Sequence, residues 1–328
     1  MQNILITGGA GFLGSHLAEE LIAQGHRVVV LDSLLTGRKD NLDAVINHKN
    51  FYFSECDIRD GEGGIFRVLF GASSKFCGEF IPETIIHAGA AYSDPSNWIR
   101  DAETNATGTA RICTMAKEWG VKRLIYFQTS LCYGLKPVDS PLTTESAVIP
   151  SGTTYAITKT TGEQIIQMSG VPYISFRLAN VCGPRNLSGP VPTFYQRIEQ
   201  GKKCFVMKTR RDFIFAKDLV KVVVRAVNGE GKDNNVYHVS TGKDYSIQEM
   251  YDAVYTATVG GDEIKSAEVR EAGIDDVLTL LIDPSKTKQD FPGWSADTPL
   301  EEGIAEAVEW YKNNEFSETY THLKDVKE

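Results

Sequence analysis

The chain has 328 residues, 42% of them hydrophobic and 23% charged, the proportions of a soluble globular protein with room for one large or two modest domains. Its net charge of −9 argues against a nucleic-acid binder, whose affinity rests on Lys and Arg meeting phosphates. No run approaches the ~20 apolar residues of a membrane span, the N-terminal MQNILITGGAGFLGSHL lacks the marks of a signal peptide, and six cysteines lie scattered without a close pair, so the expectation is a reduced, cytoplasmic protein with no disulfide frame and no metal site.

Short apolar bursts at 3–7 (NILIT), 26–32 (HRVVVLD), 50–57 (NFYFSECD) and 84–90 (TIIHAGA) are rich in branched residues and read as strands buried on both faces. Helical patterns separate them, as at 13–24 with Leu13, Leu17, Leu21 and Ile22 on one face. Two more bursts, 122–130 (KRLIYFQTS) and 172–180 (PYISFRLAN), each follow a helical stretch. The alternation predicts an α/β fold, a Rossmann-type doubly wound parallel sheet with helices on both faces, over residues 1–180. Prolines and glycines then crowd 183–192 (GPRNLSGPVP). We expect a smaller, interleaved α/β substrate domain over 181–328, with returns to the main sheet near 212–226 and 235–240.

Gly8, Gly11 and Gly14 stand where the first strand meets the first helix. A tight turn there needs backbone angles that glycine adopts freely, and a helix N-terminus offers free N–H groups and a positive dipole end to a pyrophosphate. Asp32 ends the second strand about twenty residues on, where an acidic side chain accepts both ribose hydroxyls and repels a 2′-phosphate. That favours NAD over NADP, although Arg38 stands nearby.

SGTTYAITKTTGEQ (151–164) places Tyr155 four residues ahead of Lys159. In a helix over 152–168, capped by Ser151, the two share a face. A phenol titrating at about 10 is a poor base at neutral pH, and a neighbouring ammonium favours its phenolate. The same spacing recurs at Tyr320 and Lys324, read as a solvated helix pair, so spacing decides nothing without the surrounding residues. Thr129 and Ser130 end the fifth strand, on the edge where ligands bind in open α/β sheets.

With TGGAGFLGSHL (7–17), CDIRD (56–60), IIHAGAA (85–91), TSLCYG (129–134), RLANVCGP (177–184), RRDFIFAKDL (210–219) and DPSKTKQDFPGW (283–294) in this order, the chain resembles the extended short-chain dehydrogenase/reductase family, specifically its NAD-dependent sugar-nucleotide epimerases and dehydratases. The resemblance implies a catalytic set of Thr129, Tyr155 and Lys159. It implies a cofactor site of Gly8, Gly11, Phe12, Leu13, Gly14, Asp32, Asp57, Ile58, Ala88, Gly89, Ala90 and Asn105 together with Tyr155 and Lys159. It further implies a nucleotide-sugar site drawing on Ser93, Thr129, Ser130, Asn180, Thr193, Arg211 and Arg270. Leu280 falls at the position that gates the sugar's 2-substituent, and helices near 97–119 and 152–169 would build a homodimer, with Ala102, Ala106, Ala110 and Met115 on the paired face. His87 and Cys132 are read as packing residues.

The same resemblance narrows the reaction. Its 4,6-dehydratases carry an Asp-Glu pair directly after the catalytic Thr, where this chain has Ser130 and Leu131, side chains that do no acid–base work on carbon. Its decarboxylases have Glu at Leu131, and its 3,5-epimerases place a cysteine one residue earlier than Cys132. What remains is epimerisation at C4 through a transient ketone, in a sub-branch linked to polysaccharide biosynthesis. The alternatives are a nucleotide-sugar 4-ketoreductase, dehydratase or decarboxylase and, in another class, a non-catalytic NAD-sensing regulator.

Overall fold

The computed structural model describes residues 1–137, 140–261, 263–273, 276–316 and 319–320. The first part of the chain forms β1 (Asn3–Thr7), α1 (Phe12–Ala23), β2 (Arg27–Asp32), β3 (Phe51–Glu55), α2 (Glu62–Lys75) and β4 (Thr84–His87). There follow α3 (Trp98–Asp101), a π-helical stretch Ala102–Gly108, α4 (Thr109–Glu118), β5 (Arg123–Thr129), α5 (Thr154–Ser169) and β6 (Tyr173–Leu178). The remainder begins with β7 (Asn180–Cys182), α6 (Pro190–Glu199), β8 (Phe205–Met207), β9 (Arg210–Phe215), α7 (Ala216–Val227) and β10 (Asn235–Val239). It closes with β11 (Asp244–Ser246), α8 (Ile247–Val259), β12 (Glu268–Arg270), β13 (Thr279–Leu280), α9 (Ser285–Asp290) and α10 (Leu300–Asn313).

Seven strands form one parallel sheet in the order β3-β2-β1-β4-β5-β6-β10. Apolar residues dominate both faces of the inner strands because both faces are covered, and the polar side chains among them, such as His87, Gln128 and Ser175, are buried as well. Along β1 and β2, Ile4, Ile6, Val28 and Val30 point into the layer shared with α1 and α7, while Leu5, Val29 and Leu31 point into the layer of α2, α4 and α5. Register then aligns the strand ends: Thr7 lies opposite Leu31 of β2 and His87 of β4. The loops that follow these strands therefore emerge together at one edge.

A smaller sheet is built around β9, with β7, β11 and β13 as its partners. Phe213 of β9, Phe194 of α6, Tyr251 of α8 and Ile304 of α10 fill a third core against it. The expected return to the main sheet holds at 235–239, where β10 pairs with β6. It fails in part at 212–226: β9 belongs to the smaller sheet, and only α7 goes back to pack beside α1.

Three local expectations are corrected. The region 97–119 is not one uniform helix: Asn105 bonds both polar groups of Ala91, its Oδ1 accepting from the amide (2.8 Å) and its Nδ2 donating to the carbonyl (2.9 Å), and its turn is widened to π geometry, a distortion that recurs at functional sites. Met115 is fully buried against the sheet, so it is not part of the outer small-residue face. Thr153, not Ser151, caps α5 by accepting from the Ala156 amide (3.1 Å), while Ser151 Oγ accepts from Leu135 (3.2 Å). Among the described residues no helix is long and apolar enough to cross a membrane, and no cluster of side chains could hold a metal ion.

Candidate active site

The carboxyl edge of the main sheet opens into a cleft of about 530 Å³, walled on the far side by α6, β8 and β9, a size suited to small molecules. Gly8 sits at φ +67°, and a Cβ there would come 2.7 Å from Gly89 Cα. A Cβ on Gly14 would come 2.4 Å from the Gly8 carbonyl oxygen. The loop therefore closes only with glycine, and no side chain caps the start of α1 at Gly11. That cradle fits a pyrophosphate, whose oxygens meet the free N–H groups. Asp32 accepts from the amides of Ala10 (3.0 Å) and Leu34 (2.8 Å). Burial nevertheless pushes its carboxyl up from the usual range. Every residue expected on the cofactor side lines the cleft except Asn105.

Asn105 works from behind, at the end of a buried relay. Thr109 Oγ1 donates to the Asn105 carbonyl (2.7 Å), so His87 Nε2 must donate to Thr109 Oγ1 (2.9 Å). Its Nδ1 then accepts from Thr7 Oγ1 (2.6 Å), which in turn accepts from the Gly89 amide (3.1 Å). Burial pulls the imidazole down to about 3, so His87 is a neutral, structural histidine. It locks β1, β4 and the π-helical stretch together, and Asn105 Nδ2 extends the tie to Thr158 on α5 (3.1 Å).

Tyr155 and Lys159 share one face of α5 and line the same cleft as Thr129 at the end of β5. Lys159 Nζ lies 4.0 Å from the centre of the Tyr126 ring, a cation–π contact. Burial pulls the Lys159 ammonium down to about 7, against the attraction of Glu163. Burial raises the Tyr155 phenol well above its ordinary value. Each charge alone is costly here, but a phenolate beside an ammonium offsets both costs.

The Lys159 shift carries a testable sign. Its folded value lies below the unfolded 10.5, so between about pH 7 and 10.5 the unfolded chain holds more protons and stability rises with pH. Lys159→Met removes the buried charge. Without cofactor the variant should melt higher than wild type at pH 6, and the gap should shrink as pH rises through that window. A gap independent of pH would show that the ammonium is not desolvated.

The sequence matches the model of the NAD dependent epimerase/dehydratase family over residues 4–240. The chain belongs to that family. Across its length this epimerase/dehydratase chain is 31% identical to the UDP-glucose 4-epimerase of Mycolicibacterium smegmatis, covering 94% of this chain and 98% of that one. Among solved structures, Bordetella bronchiseptica WbmH in complex with NAD+ is 42% identical with a TM-score of 0.86, covering 95% of this chain and 99% of its own. WbmG of the same organism, in complex with NAD and UDP, is 38% identical with a TM-score of 0.83, covering 98% and 99%. NAD is the cofactor of this family member, and the glycine cradle with Asp32 suits it.

On the substrate side, Ser93, Thr129, Asn180, Thr193 and Arg211 all face the cleft. Ser130 does not: it points away from Thr129 into the protein and is 3% exposed. Arg270 is also misplaced, because β12 pairs with β8 and turns the guanidinium onto the Phe205 ring (4.2 Å) and Glu268 (2.7 Å). Leu280 is buried beside Arg211 on β13 and does not reach the cleft. Tyr320 is not in a helix. It bridges to Ser188 and lines the cleft, while Lys324 lies outside the described residues. Thr36, Tyr92, Arg185 and Arg197 are among the polar lining residues that went unread in the sequence. Arg185 follows directly on the quoted RLANVCGP, at a left-handed φ of 70°, and donates to Ser15 (3.2 Å) and Glu19 (2.6 Å) on α1.

Proposed function

We propose that the protein is an NAD-dependent 4-epimerase of a nucleotide-activated sugar, a UDP-hexose, UDP-N-acetylhexosamine or UDP-hexuronate. One observation carries the choice of reaction. Beside Thr129 and Tyr155 the cleft wall is Leu131, with Ser130 turned inward and Cys132 fully buried. Among the described residues, none of the three that follow Thr129 is an acid–base group facing the cleft, where the resemblance places those of dehydration, decarboxylation or epimerisation at C3 and C5. Bound NAD supplies a hydride acceptor and donor. Tyr155 removes the proton of the C4 hydroxyl and later returns it, Lys159 holds the phenolate charge, and Thr129 steadies the reacting oxygen. The ketone turns over between the two transfers, with no net redox change. Asn180 and Arg211 hold the diphosphate end, a role supported by their place on the cleft lining with Thr193 and by the UDP bound by WbmG.

We also read the protein as a homodimer through α4 and α5, acting in polysaccharide biosynthesis. Ile157 (46% exposed) and Met168 (86% exposed) on α5 support the dimer, as do Trp98 and Ile99 on α3.

The deciding experiment is proton NMR in D2O with a panel of UDP-sugars and no added cofactor. We expect 4-epimers to interconvert without deuterium entering C3 or C5. Deuterium at C5, loss of water or loss of CO2 would overturn the reading, as would steady consumption of NADH supplied in a separate assay.

A further inference from the structure

After α10, the described residues Glu315, Phe316 and Tyr320 make contacts at or beside the cleft that the preceding reading assigns to NAD and the nucleotide sugar. They are held at three places. The Glu315 carbonyl accepts from Arg38 Nη1 (2.6 Å) on the loop after β2, beside Asp32. Phe316 packs on Tyr311 (5.3 Å between ring centres) and Tyr195 (6.2 Å) of the smaller domain's core. Tyr320 pairs through its backbone on both sides, its amide donating to Leu187 (2.7 Å) and its carbonyl accepting from Gly189 (2.9 Å). Glu315 thus meets Arg38 and Tyr320 meets Leu187 and Gly189, partners that all line the cleft, and Glu315 and Tyr320 both lie beyond the 4–240 matched by the family.

These anchors bring the Tyr320 ring edge-on to Tyr92 (6.1 Å, 84°), and Tyr92 in turn stands edge-on to Tyr155 (6.4 Å, 66°). Tyr92, Thr36 and Asp32 line the same cleft. A row of rings therefore runs from the reacting tyrosine through Tyr92 to Tyr320, along the cleft that the glycine loop and Asp32 also line. An epimerase has a particular need there. Its hydride must return to the same sugar, so a dinucleotide that left between the two transfers would strand a ketone. The glycine loop 8–14 carries no lysine or arginine to hold the phosphates. Retention must come partly from elsewhere.

We propose that Tyr320, delivered by the segment after α10, acts with Tyr92 as an aromatic clasp that retains the dinucleotide in the cleft. This rests on the NAD-dependent reading above. Loss of one edge-to-face ring contact is enough to change a release rate about tenfold.

The test is the rate at which bound NAD leaves wild type, Tyr320→Ala and Tyr320→Phe, followed by rapid gel filtration and by calorimetric affinity. We expect Tyr320→Ala to release NAD about tenfold faster, and Tyr320→Phe to stay close to wild type. Equal release from Ala and wild type overturns the clasp, even if UDP binding weakens. Should Tyr320→Ala fail to fold, hydrogen exchange on the wild type decides instead. The amides of Tyr320 and Gly189 should exchange more slowly with NAD present, and no slowing overturns the proposal. A wild type that binds no NAD would instead sink the cofactor reading itself.

Discussion

Replacing Tyr155 by Phe should lower kcat by roughly 100- to 10,000-fold, the range supplied by a positioned acid–base group. Phe keeps the ring and its edge contact with Tyr92, so NAD should bind nearly as tightly as before. The two measurements, turnover and calorimetric NAD affinity, separate chemistry from binding. A fully active Tyr155→Phe protein would remove the phenol from the mechanism, and loss of NAD along with activity would show that the hydroxyl serves binding.

Glu163→Ala should destabilise the fold by about 3–5 kcal/mol, the cost of leaving a buried charge without its partner. Glu163 stands one helical turn after Lys159, 2% exposed, and its carboxylate accepts from Arg177 Nη2 (2.7 Å), Arg177 Nε (3.2 Å) and Ser175 Oγ (2.5 Å). Arg177 also donates to the Tyr133 hydroxyl (2.8 Å). That hydroxyl meets His238 Nε2 at 2.5 Å, and His238 Nδ1 meets the Asp283 carbonyl. Burial pulls His238 down to about 4. It is therefore neutral, with its proton on Nδ1 and Nε2 accepting from Tyr133. One chain of bonds thus joins α5, β5's following turn, β6 and β10. Chemical denaturation should show the loss in Glu163→Ala, and the double variant Glu163→Leu, Arg177→Met should recover much of it. A single variant within about 1 kcal/mol of wild type would mean that Arg177 finds water instead.

The main sheet was legible because strands covered on both faces carry short runs of branched apolar residues, as at 4–6 and 28–31, that the few buried polar residues do not interrupt. The glycine cradle and the Tyr155–Lys159 face were legible because each depends on residues close in sequence. Ser130 was misjudged although the rule was at hand: successive side chains alternate at a strand end, so only Thr129 or Ser130 could face the cleft. Arg270 and Tyr320 illustrate the harder case. Arg270's direction is set by pairing of β12 with β8, some sixty residues earlier, and Tyr320's by pairing with 187–189. No local pattern encodes either partner. The same holds for Thr153 over Ser151: both are good caps, and only the competing Leu135 amide decides between them.

β10 arrives in the main sheet from residues 235–239, and α7 covers that sheet from 216–227. During synthesis the nucleotide-binding half therefore cannot be finished when its first six strands have emerged. The edge of β6 stays unpaired and the layer beneath α7 stays open until some sixty further residues are made. An exposed strand edge is a template for wrong pairing. The nascent chain is thus most exposed to aggregation while its smaller domain is still being translated, and a fragment ending near residue 180 carries that open edge permanently.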